Sequence, residues 1–301
     1  MASDLARDLP IEARAEAWLS ARLPGSLGVW VLFVVKQLWA CLFGLSILAA
    51  IILSKAIWQA DWPIWRYDAL VVFAVAMQGL MLALKLESKH EALVILIFHI
   101  TGTVMELFKT SAGSWAYPEA GYLKIGMVPL FTGFMYASVG SYMARAIRLF
   151  DIRFAPYPPF WTTVLLATAI YVNFYSHHFL PDARVVLFAG TVLLFWRTRV
   201  HMRLGGSGEV TIRLPLAALA TAFGLWIAEN IGTFTGTWLY HGQSPWDRVR
   251  LGTMGSWYLL IYVAFVTVTL VYRDMLLREP LVKASRASGP RQDRSPGTAA
   301  D

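Results

Sequence analysis

Residues 29–53, VWVLFVVKQLWACLFGLSILAAIIL, run for 25 positions with a single charge, Lys36. An α-helix needs about 20 mostly apolar residues to cross a bilayer. Backbone groups inside lipid must satisfy one another, which restricts such a run to a helix. Seven more apolar runs follow, at roughly 68–86, 91–108, 125–147, 160–176, 183–197, 213–231 and 255–273, the sixth of them short. The expected fold is all-α, a polytopic transmembrane helix bundle of about eight spans with the lipid bilayer as its partner. Charge supports this: only 15% of residues are charged, against about 25% in a soluble domain. Trp and Tyr cluster near the ends of the runs, as expected of interfacial belts.

The net charge of +7 does not point to nucleic acid, because the basic residues sit in short loops between apolar runs and so report topology. Eighteen Lys and Arg fall on the side holding both termini and seven on the other; Lys36 lies within the first run. That split places both termini in the cytoplasm of a cell whose inner (plasma) membrane the chain crosses. Residues 1–28 are expected to be a cytoplasmic amphipathic segment rather than a signal peptide. Residues 29–283 form the transmembrane domain, with repeat halves at about 29–150 and 160–275. Residues 284–301, rich in Ser, Gly, Pro and Arg, form a disordered cytoplasmic tail. The single cysteine, Cys41, excludes an intramolecular disulfide and any Cys-based metal site.

Two stretches interrupt the apolar pattern in the same way. MELFKTSAGSWAY spans 105–117 and AENIGTFTGTWLY spans 228–240. Glu106, Gly113, Trp115 and Tyr117 match Glu229, Gly236, Trp238 and Tyr240 at a constant offset of 123. Beyond a three-residue slip, Gly126 and Tyr136 match Gly252 and Tyr262, and DALVV at 68–72 resembles DARVV at 182–186. The expectation is a parallel duplication of a four-helix unit, because four spans per repeat return each half to the same orientation. The alternative is chance similarity between compositionally alike membrane segments.

Ionisable groups in spans are costly, and each is a functional candidate. Glu106 and Glu229 fall in the last turns of spans three and seven, where the helix dipole and partial burial both disfavour a negative charge. A carboxyl kept protonated in this way suits a general acid; the bland reading is an interfacial Glu held by a base or by loop amides. His99, Thr103 and Glu106 share one face of span three by their i, i+4, i+7 spacing, so His99 joins Glu106 and Glu229 as a catalytic candidate. It could equally be a histidine satisfied by a neighbouring carbonyl. Asn230, Trp115, Tyr117, Trp238, Tyr240, Asn173 and His177 are candidate substrate-binding residues. The four aromatics either anchor loops at the headgroups or roof a lipid-facing cleft.

His177, His178 and Asp182, with the two glutamates, supply atoms for Zn or a similar ion at a spacing that matches no ligand signature; the alternative is a wet interfacial loop. No other cofactor is implied. Pro129 is expected to kink the start of span four, and Lys36 to snorkel to the inner face. Asp61, Trp62, Trp65 and Arg66 read as an interfacial corner. His90 and Glu91, beside Glu87 and Lys89, read as a solvated turn in preference to a second polar site.

ESKHEALVILIFHITGTVMELFKTSAGSWAYPE, followed by MVPLFTGFMYASVGSY and YVNFYSHHF, resembles a bacterial family of uncharacterised integral membrane proteins, the YoaT-like family, from about residue 30 to 275. The resemblance implies a membrane location and no particular activity. The family's central motifs fall on Glu87, His90, Glu91, His99, Glu106, Lys109, Trp115, Tyr117, Pro118 and Glu119. More distantly, ENIGTFTGTWLY is similar to the Glu/Gly/Tyr loop of carotenoid hydratase-type membrane proteins, which add water to a terminal isoprenoid double bond. That likeness implies a carboxylic acid that protonates an alkene, a role Glu229 and Glu106 suit. The first copy lacks the Gly three residues after its Glu. Two function classes therefore stand. One is a membrane enzyme acting on an isoprenoid or other lipid near the outer interface. The other is a small-solute transporter or channel, and a scaffold that binds partners through its loops remains a third reading.

Overall fold

The computed structural model describes residues 10–23, 25–204, 209–244 and 246–276. The tail expected over 284–301 lies outside them. Among the described residues ten helices dominate: α1 (Pro10–Arg22), α2 (Gly25–Ala40), α3 (Leu42–Ile57), α4 (Arg66–Ala83), α5 (Lys89–Ser111), α6 (Phe131–Leu149), α7 (Phe160–Ser176), α8 (Arg184–Phe195), α9 (Leu214–Phe234) and α10 (Leu251–Leu276). Seven short strands join them: β1 (Trp115–Ala116), β2 (Lys124–Ile125), β3 (Val128–Pro129), β4 (Arg153–Ala155), β5 (Arg199–Arg203), β6 (Glu209–Arg213) and β7 (Leu239–Tyr240). They form three antiparallel sheets, β1–β7, β2–β3 and β4–β5–β6. The all-α expectation is corrected at these helix ends. The β5–β6 hairpin arises in a segment read as a basic loop, where Val200 and Ile212 pair across the hairpin and Phe154 of β4 faces Val200.

Among the described residues four helices are long and apolar enough to cross a membrane: α4, α5, α9 and α10. A fifth crossing exists if α2 and α3 act as one, but they meet at a 69° bend. The run at 29–53 is therefore broken at Cys41. The cause lies on another helix: the Arg145 guanidinium donates to the Trp39 carbonyl at 2.8 Å, and a side chain inserted into the helix ladder is a standard origin of a kink. Helix α6 carries Arg145, Arg148 and several hydroxyls, yet Thr132, Ser141 and Arg145 are fully buried. Neighbouring helices, not lipid, surround those side chains. The short α8, 12 residues, spans only about 18 Å at 1.5 Å per residue.

Helix α6 is the axis of the fold. It packs on α5 through glycines, as close helix contacts in membranes require. The Tyr136 ring covers Gly102, His99 and Thr103 cover Gly133, and Phe98 covers Gly140. One apolar core joins α5 and α6 to α7–α10 around Phe195, Tyr262 and Phe265; a second joins α3, α4 and α6 around Phe43, Tyr67 and Phe131. Pro129 kinks nothing: it lies in β3 opposite Lys124, and α6 begins after it.

The N-terminal end of α5 is a charged lock, not a solvated turn. Arg148 donates to Glu91 at 2.9 Å and to Glu12 of α1, and Trp39 donates to Glu12 at 2.7 Å. Glu87 accepts from Ser141 at 2.7 Å and from Gln78. Burial raises the Glu87 carboxyl above its ordinary value, partly offset by those hydrogen bonds. Lys36 does not snorkel freely either: its Nζ is held by the Leu149 carbonyl at 3.1 Å and by Glu16 at 2.9 Å. Pairing offsets part of what these side chains lose in hydration.

Candidate functional site

The opposite end of α5 closes in a way that α9 repeats. The Gly113 N–H donates to the Thr110 carbonyl and the Ser114 N–H to the Lys109 carbonyl. In α9 the Gly236 N–H donates to Thr233 and the Thr237 N–H to Gly232. Both glycines hold positive φ, +72° and +64°. Each helix thus ends in a left-handed glycine cap that turns the chain back on itself. The chain then runs extended, so residues two apart share a face. Trp115 and Tyr117 accordingly reach back to one carboxylate, and Trp238 and Tyr240 to the other.

Glu106 accepts from Trp115 Nε1, Tyr117 OH and Tyr136 OH, each at 2.8 Å. Glu229 accepts from Tyr240 OH at 2.7 Å, Trp238 Nε1 at 3.1 Å and Trp257 Nε1 at 3.2 Å. Burial, and then the adjacent carboxyls, push the Tyr117 and Tyr240 phenols well above their ordinary value, so both remain donors. Neither glutamate forms an ion pair with a Lys or Arg among the described residues.

The two boxes meet. Strands β1 and β7 pair with Trp115 opposite Tyr240 and Ala116 opposite Leu239. The Trp115 and Tyr240 rings touch edge to face, 5.8 Å between centroids, and Tyr136 and Trp257 lie 6.1 Å apart. A closed circuit results: Glu106, Trp115, Tyr240, Glu229, Trp257, Tyr136 and back to Glu106. Arg66, 3% exposed, ties both loops to the scaffold. It donates to Glu119 at 2.8 Å, to Ser54 at 3.2 Å, to the Ile51 carbonyl at 3.3 Å and to Thr237 at 3.0 Å. Tyr67 adds a 2.6 Å bond to the Thr237 carbonyl. Arg66 is therefore a buried clamp, where the sequence suggested an interfacial corner.

The circuit caps a cavity of about 970 Å³ whose lining is mostly apolar. Its walls come from α3, α6, α9 and α10, and it runs down to Phe33, Phe150 and Met202 near the opposite end of α6. Glu106, Glu229, Trp115, Tyr117, Trp238, Tyr240 and His177 all line it. The aromatics therefore roof a cleft. The other sequence candidates lie outside the lining. His99 packs on Phe134, 4.6 Å between centroids, with its Nδ1 unpartnered. Asn173 is spent on the Ala183 N–H and on Asp182, clamping the α7–α8 turn. Asn230 is spent on the Trp226 carbonyl and the Val249 N–H, clamping the start of α10.

His177, His178 and Asp182 do not converge as ligands. Asp182 bonds Asn173 and Arg184, while His177 Nδ1 lies 2.9 Å from the Asn173 carbonyl. His178 Nε2 lies 2.9 Å from Lys109 Nζ. Burial, then the Lys109 and His177 charges, lower His178 below the ordinary histidine value, so it stays a neutral acceptor for Lys109. Among the described residues no three His, Cys, Asp or Glu are placed to hold a metal ion.

Sequence reasoning gave no site role to three contributors, Lys109, Tyr136 and Trp257. Lys109 is 2% exposed and also sits 3.9 Å from the Phe174 ring centre. Tyr136 and Trp257 supply the third donor to each carboxyl. The Tyr136/Tyr262 match identified the first, but Tyr262 pairs with Tyr258 at 3.1 Å instead.

The family described as "Protein of unknown function (DUF817)" matches residues 29–265, which include both boxes and Trp257. The chain is 43% identical over 236 residues to "Uncharacterized protein YoaT" of Bacillus subtilis (strain 168), covering 77% of this chain and 88% of that protein. No solved structure matches.

Proposed function

The chain belongs to the DUF817 family, and for this member we propose a membrane enzyme in which Glu106 and Glu229 act as an acid–base pair on an isoprenoid or other lipid. The observation that carries this is the pairing of one buried and one half-buried carboxyl, without a basic partner among the described residues, with a mostly apolar cavity of about 970 Å³. Apolar pockets with a few convergent polar groups are the usual form of small-molecule sites.

The chemistry is hydratase-like. One glutamic acid transfers its proton to an alkene carbon, leaving a cation on the neighbouring carbon. A water oxygen bonds to that carbon, and the water's surplus proton passes to the second glutamate's carboxylate. One water is added, and the pair keeps a single proton, which must return to the first glutamate before the next turnover. Aromatic faces around the cation favour the charged intermediate.

The same proposal extends to the architecture. If α2 and α3 count as one crossing, the helices from α2 to α10 make eight, in two four-helix halves of the same orientation. The matched caps support duplication. So does the β1–β7 register, which sets Ala116 against Leu239, themselves 123 residues apart. A two-fold axis between them exchanges the halves. With the basic side inward, both termini are cytoplasmic and the circuit lies toward the outer face of the inner membrane.

The test is a mass-spectrometric profile of membrane lipids and pigments. It compares cells with the native chain, without it, and with the Glu106→Gln, Glu229→Gln double variant. A hydrophobic species one water heavier, present only with the native chain, is expected. A species shifted by another mass would keep the enzyme and discard hydration; coincident profiles would discard the lipid enzyme.

A further inference from the structure

Every indole N–H and phenol O–H in the two boxes is already donated to a carboxyl: three to Glu106 and three to Glu229. What remains for an occupant is carboxylate oxygen and aromatic face. Both are acceptors of positive charge and neither welcomes an anion. The circuit also lacks a basic side chain of its own. Lys109 lines the cavity one turn beyond Glu106, but its Nζ is turned to His178 and lies over the Phe174 ring. Below the circuit the cavity is mostly apolar down to Phe33 and Phe150, with Gln37, Ser138, Tyr142 and Thr221 among its few polar side chains. Charge preference at one end and chain preference along the rest define an amphiphile.

We propose that this end of the cavity binds a lipophilic cation: an ammonium-type headgroup seated among Glu106, Glu229, Trp115, Tyr240, Tyr136 and Trp257, with its hydrocarbon tail along the cavity. The inference rests on the cavity reading above and deepens it, because a cation on a hydrocarbon tail is also what protonation of an alkene produces. An aromatic cage with acidic members is the established recognition mode for quaternary ammonium groups.

The experiment measures binding of tritiated decyltrimethylammonium to the purified full chain. Competitors are 2,2-dimethyldodecane, the neutral isostere with carbon in place of nitrogen, and decyl sulfate, an anion with the same tail. Saturable binding is expected that neither competitor displaces. Glu106→Gln and Glu229→Gln should each weaken it by about tenfold. The competition is run on native protein, so it decides even if a variant fails to fold. Displacement by the neutral isostere as effective as by unlabelled cation would overturn the proposal, as would unchanged affinity in the folded double variant. Charge-selective binding without any change in the lipid profile would retain the cation site and remove the enzyme. A one-water lipid shift without charge-selective binding would do the reverse.

Discussion

The Glu106 and Glu229 boxes use the same cap, the same Trp and Tyr at the same spacing and the same number of donors, yet they are not equivalent. Glu106 is 2% exposed, and Glu229 is only half-buried. One difference traces to the residue three positions after each glutamate. In the second box it is Gly232, and the Trp238 indole occupies the space its side chain would need. In the first it is Lys109, which fills that position and reaches toward His178. Trp115 meets Tyr240 across the strand pair. The lesson is that one local motif fixes how a carboxyl is held, while a single neighbouring side chain decides how much of it the cavity sees. In the proposed reaction Glu229 would therefore be the proton donor that the cavity reaches more readily, and Glu106 its partner.

The comparison breaks most completely where the loops share a support. Arg66→Met removes the guanidinium from both at once. It should cost about 3 kcal/mol, as loss of one member of a buried pair does. Amide exchange should rise in both loops together; exchange confined to one would show that the boxes are independent. Next in size is Gly232→Ala. The added methyl collides with the Trp238 ring, and overpacking of this kind costs about 2 kcal/mol. The loss should be read as a lower unfolding midpoint, with a change in tryptophan emission from the second box alone.

Smaller, and equal in the two boxes, are Gly113→Ala and Gly236→Ala. No side-chain or backbone atom crowds either Cβ more closely than 3.8 Å, so only the left-handed backbone matters, at about 1 kcal/mol each. Unequal losses would argue against matched caps. The smallest effect is a pH response of the first box only. His178 titrates below its ordinary value because of burial and its charged neighbours Lys109 and His177. A histidine of this kind stabilises the fold above its unfolded value, about 6.5. That contribution is lost as pH falls through the lowered folded value. Acidification should therefore open the Ser114 amide while leaving Thr237 unchanged, and His178→Gln should abolish the difference.

What could be read from the sequence was local. The Glu, Gly, Trp and Tyr spacing survives because a helix cap and an extended strand have fixed repeat lengths. The glutamates were found because a charge in an apolar run is conspicuous. Tyr136 and Trp257 were missed as a pair because their approach depends on how α6 and α10 register against their neighbours, which the glycine contacts at Gly102 and Gly133 set in three dimensions. The bend between α2 and α3 was hidden for a similar reason: its cause, Arg145, lies about a hundred residues away in sequence. Glu87 and Glu91 looked like a wet turn because their partners Ser141 and Arg148 sit on another helix. Asn173 and Asn230 looked available because their carboxamides cap chain segments that only folding brings near.

The most direct measurement places the purified chain in vesicles made from the cell's own membrane lipids, in water enriched in heavy oxygen. The products of native protein, Glu229→Gln and Glu106→Gln are then compared. Native protein is expected to yield an isoprenoid or other lipid carrying one labelled hydroxyl. Glu229→Gln should abolish it and Glu106→Gln should reduce it strongly. Label that persists undiminished in Glu229→Gln, in a protein that keeps its native melting temperature, would contradict the assignment of the cavity-facing carboxyl as the acid.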